Sequence, residues 1–156
     1  MDMSVRKLRV GATGVTVALV AGLVVSVGIA LGSAQAPAGK TVWDGAFNAA
    51  QAGRGKAVYV AECSGCHLET LQGDGGASPA LIGKAFVEAW DRKTVQDLYS
   101  RIRSTMPATN PGGLSDKAYL DITAYLLQMN NFPEGSAELP PEAEALTAVV
   151  IQQNKP

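Results

Sequence analysis

Four segments of the chain read as helices from their apolar spacing and their end signals. In Asn48–Cys63 the alanines at 49, 50, 52, 57 and 61 favour helix, and Asn48 has the chemistry of an N-cap. Gly53 and Gly55 weaken that helix locally. Gly55 and Tyr59 are one turn apart and share a face, so the glycine would let another helix approach beside the tyrosine. Lys84–Trp90 carries Phe86, Val87 and Trp90 on a common side. Val95, Leu98, Tyr99 and Ile102 follow the i, i+3, i+4, i+7 pattern, with Thr94 as N-cap, Asp97 at the third helical position and a stop before Pro107. Ser115 caps a last major helix, whose Tyr119, Leu120, Ile122, Tyr125, Leu126 and Met129 form a broad apolar face that should be buried. Phe132-Pro133 ends it.

Between these segments the periodicity disappears. His67 to Ile82, punctuated by Gly73, Gly75, Gly76 and Pro79, reads as a loop. A second loop from Thr105 to Leu114 holds Met106, Pro107, Pro111, Gly112 and Gly113. The tail starts a short helical turn after Pro140-Pro141. Its Val149-Val150-Ile151 then needs cover from the domain or from a partner.

The amino end has a different pattern. Arg6, Lys7 and Arg9 precede an apolar run, Val10 to Leu31, without one charged residue, and small residues close it at Gly32-Ser33-Ala34-Gln35-Ala36. That order is the order of a secretory signal. The run is longer than an ordinary signal core and approaches the ~20 residues that cross a bilayer. Cleavage after Ala34 and an uncleaved anchor through residues 10–31 therefore both fit. Either places the working domain outside the bacterial plasma membrane, in the periplasm. The chain divides into 1–36 (signal peptide or anchor), 37–47 (linker), 48–131 (domain) and 132–156 (tail).

Charge excludes one class of function. Of 13 basic and 14 acidic residues, three basic and one acidic lie before residue 37, which leaves 10 against 13, a net charge of −3. A mildly acidic domain of this kind lacks the basic patch of a nucleic-acid binder. Roughly 120 residues suffice for one domain and not for two.

The chemistry is concentrated in Cys63-Ser64-Gly65-Cys66-His67, which holds both cysteines and the one histidine of the chain. C-x-x-C-H is the attachment signal of a c-type haem. Each thiol adds across one vinyl group at the porphyrin edge, and the adjacent imidazole becomes the proximal iron ligand. Three other readings compete. A structural zinc site needs four protein ligands, and this motif supplies three. A thioredoxin-like pair expects a strand–helix–strand context. A disulfide across two residues must meet strict geometry.

C-x-x-C-H after a first helix, the Pro79-Ala80-Leu81-Ile82-Gly83 loop, Met106-Pro107 and a final apolar helix together resemble class I cytochrome c over roughly Asn48 to Asn131. The resemblance implies an all-α fold of about four to five helices around one covalent haem c. It implies a crossing of the first and last helices, with Gly55 and Tyr59 against Tyr125 and Leu126. It makes the Pro79 carbonyl the acceptor for Nδ1–H of His67. Trp90 would either donate its indole N–H to a haem propionate or simply pack in the core.

The sixth iron ligand is expected to be Met106. Met1 and Met3 lie in the leader, and Met129 sits on the apolar helix face where methionine fills gaps. Met106 lies in a loop stiffened by Pro107, and a second histidine is not available within the chain. His/Met ligation raises the reduction potential and leaves no open coordination position. The expectation is a one-electron carrier of the respiratory chain and no enzyme, its metal held by His67 and Met106. Its partners would be redox proteins: a dehydrogenase as donor and a cytochrome or oxidase as acceptor. The segments Arg101–Pro107 and Phe132-Pro133…Leu139-Pro140 are similar to small cytochromes serving quinoprotein dehydrogenases. The alternative is a five-coordinate haem acting as a peroxidase or gas sensor.

Overall fold

The computed structural model describes residues 40–156. The leader or anchor expected at residues 1–36, and residues 37–39 of the linker, lie outside the described residues. Among the described residues no helix is long and apolar enough to cross a membrane.

Six helices follow a short lead-in: α1 (Ala49–Glu62), α2 (Ser64–His67), α3 (Lys84–Trp90), α4 (Val95–Thr105), α5 (Asp116–Met129) and α6 (Ala143–Thr147). The three long helices begin where cap chemistry dictates. The side chains of Asn48, Thr94 and Ser115 accept hydrogen bonds from the backbone N–H of Gln51, Asp97 and Ala118, groups that have no partner within the helix. Asp97 completes a reciprocal box by accepting from the N–H of Thr94 at 2.8 Å. Two short elements complete the set. The C-x-x-C-H segment forms its own helical turn, α2, and a 3-10 turn covers Val42–Asp44.

Helices α1 and α5 pack together at Gly55. A Cβ there would fall on the backbone carbonyl of Asp121 and 2.9 Å from Cβ of Tyr125. The absence of a side chain is therefore what lets α5 lie this close. Next to the contact, the rings of Tyr59 and Tyr125 meet at 5.4 Å between centroids. Helix α5 is buried continuously from Tyr119 to Leu127, not along one face. Asp121 and Tyr125 meet α1, Ile122 and Leu126 turn to a large cavity, and Leu120 lies beside Leu139 of the tail. That wrapping buries Asp121 to 4% exposure. A forked pair of hydrogen bonds from Arg54, each 3.0 Å, satisfies its carboxylate, and Lys117 adds a third contact at 2.9 Å.

The tail closes onto the domain. Leu139, Leu146, Val149 and Ile151 are all buried. β2 (Val149–Val150) pairs in parallel with β1 (Lys40–Thr41), and Val150 also bridges Thr94 ahead of α4. Trp43 donates its indole N–H to the carbonyl of Gln152 at 2.9 Å and stacks edge-on against Phe132. Buried Gln51 exchanges two hydrogen bonds with the backbone of Leu139. The cover that Val149–Ile151 required is the domain itself.

Candidate functional site

A cavity of about 810 Å³ opens between α2, α3, α4, α5 and the loops that follow α2 and α4. This volume is within the ~300–1,000 Å³ of cofactor clefts. Cys63, Cys66, His67, Pro79, Trp90 and Met106 all line it. Six residues spread over 44 positions of sequence thus reach one space.

Local structure explains how each arrives there. Helix α1 ends at Glu62, and α2 restarts the backbone after Cys63 with the N–H of His67 bonded to the carbonyl of Cys63 at 3.0 Å. This turn carries His67 to the cavity wall, where the imidazole is 7% exposed. The two cysteines are not joined in a disulfide; Cys63 is half-buried and Cys66 exposed. Burial, with a smaller contribution from the charge of Glu62, pushes the Cys63 thiol up to about 11. Burial likewise pushes the Tyr59 phenol up. The neutral hydroxyl donates to the carbonyl of Leu68 at 2.8 Å, holding the chain just after the motif.

The loop from 68 to 83 folds back over His67. Gly73 donates to the carbonyl of His67, and Leu81 donates to that of Leu71 at 2.8 Å. At Gly73 the backbone has φ of 67°, and a Cβ would collide with the carbonyl of Ser78. Asp74 accepts from the N–H groups of Gly76 and Ser78. These closures bring the Pro79 carbonyl 2.9 Å from Nδ1 of His67. The carbonyl can only accept, so Nδ1 carries the proton and Nε2 keeps its lone pair. Asn130, at the end of α5, fixes the far side of the loop. Its amide donates to the carbonyls of Leu81 and Leu126 and accepts from the N–H of Gly83.

Helix α4 contributes Leu98, Arg101, Ile102 and Thr105 to the cavity lining, and Met106 sits at its C-cap. The Met106 carbonyl accepts a 2.7 Å hydrogen bond from the Tyr119 hydroxyl. Trp90 stands half-buried on the cavity edge with the Lys93 ammonium 4.9 Å from its ring centroid.

Sequence reasoning missed Asn130, Tyr119 and Arg101. The signal for Arg101 was available: it lies one turn before Thr105 on the cavity side of α4. It is the one Lys or Arg in the cavity lining, a fixed charge suited to a carboxylate. For Asn130 and Tyr119 no local pattern distinguishes them from an ordinary C-cap and an ordinary core tyrosine.

The donor set discriminates among the competing chemistries. Among the described residues no group of three or more His, Cys, Asp or Glu side chains could hold a metal ion by itself. An apolar-walled cavity with two thiols and an imidazole of fixed tautomer at its rim fits a flat, largely apolar macrocycle with its own metal. The family model described as cytochrome c oxidase, cbb3-type, subunit III matches residues 50–126. Residues 50–126 form a class I c-type cytochrome domain. The searches of curated proteins and of solved structures gave no match.

A cytochrome domain of this class binds haem c, which supplies one-electron iron chemistry when bound. Cys63, Cys66 and His67 are the residues that would hold it. The domain's own contribution is to fix the imidazole tautomer through Pro79 and to wall the cavity with apolar side chains of α4 and α5. The domain is an electron carrier in kind, and its partners are redox proteins.

Proposed function

We propose that this cytochrome is a periplasmic one-electron carrier whose haem iron is held by His67 and Met106. It would pass electrons from a dehydrogenase of the quinoprotein class to the respiratory chain. The observation that carries the ligand assignment is the shared cavity of about 810 Å³ that holds His67 and Met106 in its lining. Both axial positions would then be protein-filled, which suppresses oxygen and peroxide chemistry and favours electron transfer. Arg101 and Trp90 are the groups suited to the propionates. The charged amino end and apolar run of residues 6–31 support export, and resemblance of Arg101–Pro107 and of the tail supports the donor class. Electrons would cross near the exposed Cys66 through a small transient interface.

Carbon monoxide and potentiometry test the ligand set. The reduced wild type should bind carbon monoxide slowly and incompletely at neutral pH. Met106→Ala should keep its haem, bind the gas fully and show a lower midpoint potential. Rapid full conversion of the wild type would favour the five-coordinate peroxidase or sensor, and an unchanged midpoint in the variant would refute the role of Met106.

A further inference from the structure

The segment from Met106 to Leu114 leaves the cavity wall and returns to α5 with few internal ties. Its backbone closes on itself through Asn110 N–H to the Pro107 carbonyl at 2.9 Å and Gly113 N–H to the Asn110 carbonyl at 3.0 Å. Gly112 N–H adds a longer bond to the Met106 carbonyl at 3.4 Å, and Arg103 on α4 pairs with Asp116 on α5 at 2.7 Å across the base of the segment. The one side chain that bonds to both of its ends is Tyr119. The Tyr119 hydroxyl donates to the Met106 carbonyl at 2.7 Å and accepts from the N–H of Leu114 at 3.3 Å. Tyr119 is fully buried on α5, the most enclosed helix of the domain, so the hydroxyl is a fixed point. Its donor and acceptor capacities are both used on this loop. A phenylalanine would fill the same space and serve the core as well; the oxygen is the part that packing does not explain.

We infer that the Tyr119 hydroxyl is a latch that holds the Met106–Leu114 loop shut and so keeps the Met106 side chain presented to the cavity. Tyr119 is a positioning residue, and the inference rests on Met106 being the sixth ligand. A tethered ligand competes with a free one through its effective concentration, which depends on how narrowly the tether is confined. Without the hydroxyl the loop samples more conformations, Met106 spends less time in place, and an external ligand competes better. One hydrogen bond of ordinary net strength corresponds to a change of roughly three- to tenfold.

Imidazole binding to the ferric holoprotein, followed spectroscopically, separates the claims. Four proteins are compared: wild type, Tyr119→Phe, Met106→Ala and Trp43→Phe. The last loses a hydrogen bond of similar length in the tail, away from the cavity. Tyr119→Phe should bind imidazole roughly three- to tenfold more tightly than wild type, Met106→Ala more tightly still, and Trp43→Phe like wild type. If Tyr119→Phe matches wild type while Met106→Ala binds tightly, the latch is wrong and the ligand stands. If Met106→Ala matches wild type, the ligand assignment fails and takes the latch with it. If Trp43→Phe tightens binding as much as Tyr119→Phe, the effect is general loosening and the latch is overturned. Amide exchange on the unmutated holoprotein is an independent check, because the Leu114 N–H should be protected by the hydroxyl. Exchange there as fast as at Thr109, whose N–H makes no hydrogen bond within the segment, would also overturn it.

Discussion

Two glycines in α1 show how little of a residue's role is visible in its type. Gly53 and Gly55 carry the same helix penalty, yet a Cβ at Gly53 meets nothing within 4 Å while one at Gly55 meets the Asp121 backbone. Gly53→Ala should therefore stabilise the holoprotein by about 0.4–1 kcal/mol through the unfolded chain. Gly55→Ala should destabilise it by about 1–3 kcal/mol through overpacking against a carbonyl that cannot yield. Denaturant midpoints of the two variants check this, and a shift of the same sign in both would contradict the close α1–α5 approach. The pairing of Gly55 with Tyr59 was readable in the sequence, because both residues lie on one helical face. The burial of Asp121 was not, since Arg54 and Lys117 reach it from 67 and four positions away and only the first separation is set by the fold.

At the level of elements, caps and periodicity carried the reading. Asn48, Thr94 and Ser115 mark helix starts because their side chains can satisfy orphan N–H groups, and that chemistry is local. In the tail only the short turn after Pro140-Pro141, the helix α6, was readable. The tail's two-residue strand and its ties to Trp43 and Gln51 depend on partners about a hundred residues away. Periodicity cannot register contacts of that separation. The tail is nevertheless part of the core: Leu146 and Ile151 are fully enclosed, and Ile151 exchanges backbone hydrogen bonds with Arg92 and Lys93 just before α4. Leu146→Ala should cost about 2–5 kcal/mol, as for a buried leucine in any core. A midpoint in denaturant equal to wild type would show that the tail detaches in solution.

For the whole molecule, acid should be the weak direction. Four aspartates are held below their ordinary range. Asp74 is lowered by the N–H groups of Gly76 and Ser78, Asp97 by Thr94, and Asp116 by Arg103. At Asp121 burial pushes the carboxyl up, and the hydrogen bonds and charges of Arg54 and Lys117 outweigh it. A depressed folded value means that each contributes stability in full above the unfolded value of about 3.9, lost as pH falls through the lower folded value. Stability should fall below about pH 4, and Asp121→Asn should make that fall shallower. Denaturant midpoints followed down through pH 4 test it, and an unchanged pH slope in the variant would contradict the burial of an ionised Asp121.

The cavity, the family and the expected ligands all converge on covalent attachment of the cofactor through Cys63 and Cys66. Mass spectrometry of the protein purified from its native source reads that attachment directly. The tryptic peptide Ala57–Lys84, which holds Cys63, Cys66 and His67, should carry the added mass of one haem and keep it after acid acetone extraction. The same peptide recovered at the mass of its amino acids alone would contradict the account.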